Sequence, residues 1–181
     1  MILGIIVLAV VVVAIFIFNS LIMKRNMVDN AFGCIDAQLK KRFDLIPNLV
    51  AAASRYMKHE SATLAQVTAQ RAGANASVAE KSQEDCAVTA ALRNFMVSVE
   101  AYPDLKASEN IMQLQRSLNE IEEQLAAARR AYNSAVTDYN NAIQMVPGCF
   151  FAGFMRLSRR DLFTIPDAER ANVNVAELFQ K

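Results

Sequence analysis

The sequence predicts an all-α protein, with a single N-terminal transmembrane helix followed by an elongated antiparallel helical bundle built from long heptad-repeat helices. Three observations carry this. The chain opens "MILGIIVLAVVVVAIFIF", eighteen residues without a charge. An alternation of four- and three-residue apolar spacings runs unbroken from Leu114 to Val146. Glycine and proline number only 5 and 4 in 181 residues, too few for the turns of a β-sandwich.

Residues 1–23 form the anchor. Leu21, Ile22 and Met23 extend the apolar run past Asn19 and Ser20. At ~1.5 Å per residue such a segment spans about 30 to 35 Å, the thickness of a bilayer's hydrocarbon core. The basic n-region, shorter apolar run and small-residue cleavage site of a signal peptide are not found. Lys24, Arg25, Lys40, Lys41 and Arg42 follow the span, so the positive-inside rule places the N-terminus outside and the bundle in the cytoplasm. Cys34, Cys86 and Cys149 are odd in number, scattered and without metal-ligand spacing, which fits a reducing compartment and argues against a disulfide framework or zinc.

The bundle occupies residues 24–146, with helices over about 24–70, 85–101 and 104–146. In the first, Val28, Phe32, Ile35, Leu39, Ile46, Val50, Ala53, Met57, Leu64 and Val67 keep a four-three cadence, with gaps near Arg42 and Glu60. The span can run into this helix without a linker. "RAGANASVAEKSQED" (71–85) is small and polar and reads as a loop. Val88, Leu92, Phe95 and Val99 share one face of the second helix. A junction follows at Tyr102, Pro103, Lys106 and Asn110, where Pro103 can restart a helix in its first turn. In the third helix Leu118, Leu125, Tyr132 and Tyr139 alternate with Leu114, Ile121, Ala128, Ala135 and Ala142, so the seam passes from Leu/Ile to Tyr against Ala.

One stretch interrupts the first helix. "KKRFDLIPNLV" (40–50) sets Arg42, Asp44, Pro47 and Asn48 inside an apolar repeat. Pro47 cannot donate to the Phe43 carbonyl, so a bend or restart is expected there. Asn48, Asn133 and Asn140 are expected to form a buried amide layer that satisfies the broken backbone and fixes register beside Tyr132 and Tyr139. Arg42 and Asp44 stand two apart, face different sides, and are each expected to meet a charge on another helix or subunit.

The tail, 147–181, begins with a Pro-Gly breaker. It then gathers Phe150, Phe151 and Phe154 beside Arg156, Arg159 and Arg160. The commoner fate of such a segment is to fold back and plug the end of the bundle. The alternative is a membrane-surface or partner contact. Beyond Pro166 the chain is mostly polar and reads as extended.

Taken in order, "IDAQLKKRFDLIPNLV", "YMKHE", "VEAYPDLKASEN" and "ARRAYNSAVTDYNNAIQMVP" followed by "GF" resemble the LemA family over nearly the whole chain. The resemblance implies an N-terminal anchor and a helical bundle in bacterial membranes, with no established enzymatic activity. Val146-Pro147 stands where the family more often has Phe-Pro.

Little in the sequence suggests chemistry. His59 beside Glu60 is a lone pair without the HExxH spacing, and neither a phosphate-binding glycine loop nor a nucleophile elbow occurs. "NEIEEQ" (119–124) and Arg129-Arg130 read as the solvated face of the third helix. The expectation is therefore a non-enzyme with no cofactor or metal. Lys+Arg 19 against Asp+Glu 18 gives no basic face for nucleic acid. Two roles remain. One is a structural scaffold that self-associates on the bacterial inner membrane and organises or shapes it, with the lipid bilayer and further copies of itself as partners. The other is an adaptor tethering a signalling, transport or proteolytic membrane protein.

Overall fold

The computed structural model describes residues 2–54 and 76–164, and the chain there is helical without strands. Helix α1 covers Ile2–Ala53, 52 residues without a break, or about 78 Å at 1.5 Å per residue. Its first third is apolar all round and exposed, and it is long and apolar enough to cross a membrane. From Leu21 onward one stripe turns inward. Ile35, Leu39, Arg42, Ile46, Leu49 and Ala53 are buried at alternating spacings of four and three. Arg42 thus fills the gap in the apolar repeat and occupies a seam position.

The expected restart at Pro47 does not occur. The helix continues through it, with the proline ring exposed on the outer face. Ile46 and Leu49, both fully buried, hold that turn on the core, and their packing outweighs the one backbone bond that proline cannot make.

Helix α2 covers Val78–Val99 and begins earlier than expected: residues 78–85 are helical, not loop. Its start is a capping box. Glu80 donates its amide to Ser77 Oγ (3.2 Å), and the Ser77 amide donates to Glu80 Oε2 (2.7 Å). These bonds to Ser77 hold the exposed Glu80 carboxyl below its ordinary range. The buried stripe is Lys81, Asp85, Val88, Leu92, Phe95 and Val99. Its cadence matches the heptad, but its first two members are charged.

A single proline-initiated turn, α3 (Pro103–Lys106), then inserts Leu105 into the core. Ala107 and Ser108 separate it from α4 (Glu109–Gln144), so the expected 104–146 helix is divided and stops two residues short. Helix α4 lies antiparallel to α1, with the Phe32 and Tyr132 rings 5.7 Å apart. Its seam is Ile111, Leu118, Ile121, Leu125 and Tyr132, after which it shifts to Val136, Tyr139 and Ile143. A straight helix drifts about 20° per heptad relative to a 3.5-residue repeat, which moves the buried stripe off Ala135 and Ala142. Val146 lies outside the core altogether.

After a cis Val146–Pro147 bond comes α5, Gly148–Phe154. From Leu157 to Thr164 the chain then runs extended along the flank of the bundle, back from the α5 end toward α2. The stretch from Leu157 to Thr164 therefore lies along the side of the bundle, while α5 packs on α1 and α4 at its end. Helix α2, parallel to α1 through Lys81–Asp36 and Arg42–Asp85, covers one half of the α1–α4 pair. The returning segment covers the other. His59, Glu60, Met57, Leu64 and Val67, the first part of the 71–85 stretch and the tail from Pro166 lie outside the described residues.

Candidate functional site

The returning segment is held by a ladder of side chains on α4. Asn133 donates its amide to the Phe163 carbonyl (3.0 Å) and accepts from the Phe163 amide (2.8 Å). Asn140 does the same with Arg160, at 2.9 Å each way. A side-chain amide offers one donor and one acceptor in a plane, so it imitates the edge of a neighbouring strand. Two hydroxyls join in: Tyr132 donates to the Asp161 carbonyl (2.9 Å) and Tyr139 to the Ser158 carbonyl (3.1 Å). The geometry follows from two repeats. Seven helical residues advance about 10.5 Å and three extended residues about 10 Å, so side chains seven apart meet carbonyls three apart. "YNSAVTDYN" is one such pair of rungs.

Burial raises both phenols above the ordinary tyrosine range. Arg160 opposes this at Tyr132; at Tyr139 Arg160 and Arg25 both do. The hydroxyls stay protonated and keep donating. Phe163 anchors the far end of the segment, buried beneath the Arg129 guanidinium (5.5 Å from the ring centre), and Ser82 Oγ donates to the Thr164 carbonyl.

Above the ladder lies a layer of charge inside the bundle. Arg42 Nη1 meets Asp85 Oδ1 at 2.8 Å, and Arg42 Nη2 meets Glu122 Oε2 at 3.2 Å and Thr89 Oγ1 at 3.0 Å. Arg129 engages the other oxygen of Asp85. Three helices are thereby pinned at one level, with Arg42 and Asp85 both buried. Lys81 pairs with Asp36 and lies over the Phe32 ring at 5.4 Å. The polar layer of the seam is thus made of guanidinium and carboxylate groups, not of amides. Asn133 and Asn140 face the returning segment instead, and Asn48 is exposed. Among the described residues no three His, Cys, Asp or Glu side chains come together as metal ligands would.

At the opposite end, α5 packs beside the apolar part of α1. Gly148 touches the turn of α4, where a methyl group would overlap the Ala142 carbonyl, and it faces Leu21. Phe150, Phe151 and Phe154 form one wall of a groove of about 470 Å³, and Val11, Ala14, Ile15 and Phe18 form the other. The helix closes in a Schellman turn. Leu157 donates to the Ala152 carbonyl (2.9 Å) and Arg156 to Gly153 (3.2 Å), with Arg156 in the left-handed region at φ 51°.

The sequence profile of the LemA family matches residues 31–176. The chain belongs to the LemA family. It is 29% identical to Protein LemA of Metamycoplasma hominis over 167 residues, covering 88% of this chain and 74% of that one. It is also 30% identical over 91 residues to the magnetosome proteins MamQ 1 and MamQ 2 of Paramagnetospirillum magneticum. That match covers 50% of this chain and 34% of theirs.

In this LemA-family chain the residues singled out by sequence go to different places. Tyr132, Asn133, Tyr139 and Asn140 act together on the returning segment, whereas Arg42 joins the charge layer. Asp44 points outward beside exposed Pro47. Asn48 and Asn110 line one shallow groove at the far end of the α1–α4 pair, with Leu45, Gln113 and Ser117. Tyr102 precedes α3 and packs on the core, and Lys106 lies 3.9 Å from Glu100 at the surface. Phe150 and Phe154 stand exposed and Phe151 half-covered; Arg156 and Arg159 are also exposed, while Arg160 reaches Asp29 at 3.3 Å. Glu122 and Arg129 were expected on the solvated face, yet both belong to the charge layer, because they flank the α4 seam opposite Arg42 and Asp85. Lys81, Asp85, Thr89 and Phe163 were not singled out by sequence. Their signal was available: Lys81 and Asp85 extend the Val88–Val99 cadence backward, and Ser77-x-x-Glu80 marks the helix start ahead of them.

Proposed function

We propose that this LemA-family protein is a non-enzymatic structural protein of the bacterial inner membrane, anchored by residues 2–23, with its bundle in the cytoplasm, and that it self-associates into a scaffold. The observation that carries the reading is the continuity of α1. The apolar segment and the bundle share one helix, Leu21 belongs to the core at 2% exposure, and α5 is packed on residues 11–21. Removing the segment as a cleaved leader would strip the bundle of packing, which favours a retained anchor. Lys24, Arg25, Lys40 and Lys41 behind the span favour the cytoplasmic side. The buried charges are engaged with one another as ion pairs, an arrangement suited to fixing helices more than to moving protons.

The test is particle mass and shape for the full-length protein extracted in mild detergent, by mass photometry and negative-stain microscopy. A uniform large particle, ring or lattice is expected. A monomer would overturn self-association and leave the adaptor role. Labelling of exposed Cys34 by an impermeant maleimide in spheroplasts tests the orientation: no labelling until lysis is expected.

A further inference from the structure

We infer that α5 is a second membrane element, inserted into the acyl-chain layer of the leaflet on the bundle's side, and that its groove against α1 is filled by a lipid chain. This rests on the anchoring reading above and adds an independent contact. Four observations lead to it. One wall of the groove is the span itself, Val11 to Phe18, so the groove lies at the depth of the span. Lys24 follows Phe18 by six residues and Val11 by thirteen, placing the groove between about 9 and 20 Å below the basic collar. Phe150 and Phe154 are 72% and 87% exposed, pointing away from the bundle where only an apolar medium suits them.

The backbone of α5 is also equipped for such a medium, in which every polar main-chain group needs an internal partner. Pro147 has no N–H to satisfy; Cys149 donates to Met145 at 2.9 Å and Phe150 to Pro147 at 3.3 Å. The other end is closed by the Schellman bonds of Arg156 and Leu157. Finally, charge appears where the chain leaves α5. Arg156 and Arg159 are exposed, and Ser158 is bonded to Tyr139, which lies near Arg25. Together with Lys24 and Arg25 they form a collar at headgroup level, complementary to lipid phosphate.

The chain has no tryptophan, so single replacements report cleanly. Ile15→Trp in the span, Phe154→Trp in α5 and Val97→Trp, exposed on α2, would each be reconstituted as full-length protein in phosphatidylcholine–phosphatidylglycerol vesicles. Quenching is then measured with phosphatidylcholine brominated along its acyl chains. Quenching of Phe154→Trp comparable to Ile15→Trp, with Val97→Trp unaffected, is the expected result. Quenching of Ile15→Trp alone overturns the insertion of α5 while leaving the anchor intact. Absence of quenching at both positions overturns the anchor and the inference together. Unquenched but blue-shifted emission from Phe154→Trp that moves red when protein is diluted in lipid assigns the groove to a second copy, which also overturns it.

Discussion

Asn133→Ala removes both rungs that hold Phe163 without touching the hydrophobic seam. The two hydrogen bonds lost, 3.0 and 2.8 Å long, join a side chain to the backbone of a largely buried residue. Each contributes about 0.5 to 1.5 kcal/mol net, so the pair stabilises the docked segment by about 2 kcal/mol. At 1.4 kcal/mol per tenfold, the opening equilibrium of the segment rises about 30-fold. Hydrogen–deuterium exchange of the fragment containing Phe163 reads this directly, since local opening exposes that amide while α4 stays folded. The Phe163 amide is expected to lose about 30-fold in protection. The Arg160 amide should lose less, because Asn140 still holds it and Tyr139 still holds the nearby Ser158 carbonyl, and amides around Leu125 should be unchanged. Asn48→Ala, at an exposed position, serves as the control. Unchanged exchange at Phe163 in Asn133→Ala would refute the ladder.

Arg42→Ala strips buried Asp85 of its 2.8 Å ion pair with Arg42, and the loss is expected to be about 3 to 5 kcal/mol in denaturant or thermal unfolding. Replacing the whole cluster, Arg42→Met with Asp85→Leu and Arg129→Met, should recover most of it, because the charges that pair with one another inside are then removed together. Gly148→Ala forces a methyl group against the Ala142 carbonyl, a backbone atom that cannot step aside. Unfolding midpoints should register a loss of about 1 to 3 kcal/mol. Arg156→Gly relieves a left-handed residue in the Schellman turn and should stabilise by about 1 kcal/mol, while weakening flotation with anionic vesicles. Tyr132 and Tyr139 are raised above the usual tyrosine value, so their contribution is complete below about pH 10 and is lost as pH climbs through their folded values. Proteolysis of the returning segment should therefore increase on the alkaline side and not near neutrality.

The seam of the bundle was readable because apolar side chains at 3.5-residue spacing have one stable use. The long apolar N-terminal helix was readable because eighteen uncharged residues without a break favour one continuous element. What escaped reading was polar. Asn133 and Asn140 announce a hydrogen-bonding stripe, but a side-chain amide satisfies a kinked helix, a facing amide or an extended chain equally well. Only the position of residues 158–163 decides among them. Arg42 registered as a gap because a charged seam residue breaks the apolar count, and its counterpart Asp85 was hidden in a stretch rich in small and polar residues. The proline at 47 misled for the opposite reason. Its local effect is real, but buried neighbours on both sides of it hold the helix.

The unbroken passage of α1 from the apolar segment into the bundle has a mechanical consequence. From Lys24 to Ala53 the helix projects about 45 Å beyond the apolar segment, stiffened by α4 along its side. Under the proposed anchoring, and with no hinge at the boundary, the bundle would work as a pointer fixed to its anchor. A change of about 10° in the tilt of the span, within the range that bilayer thickness imposes, would sweep the far tip sideways by about 8 Å. Bilayer thickness would thereby become a displacement at the exposed groove of Asn48 and Asn110, far from any lipid.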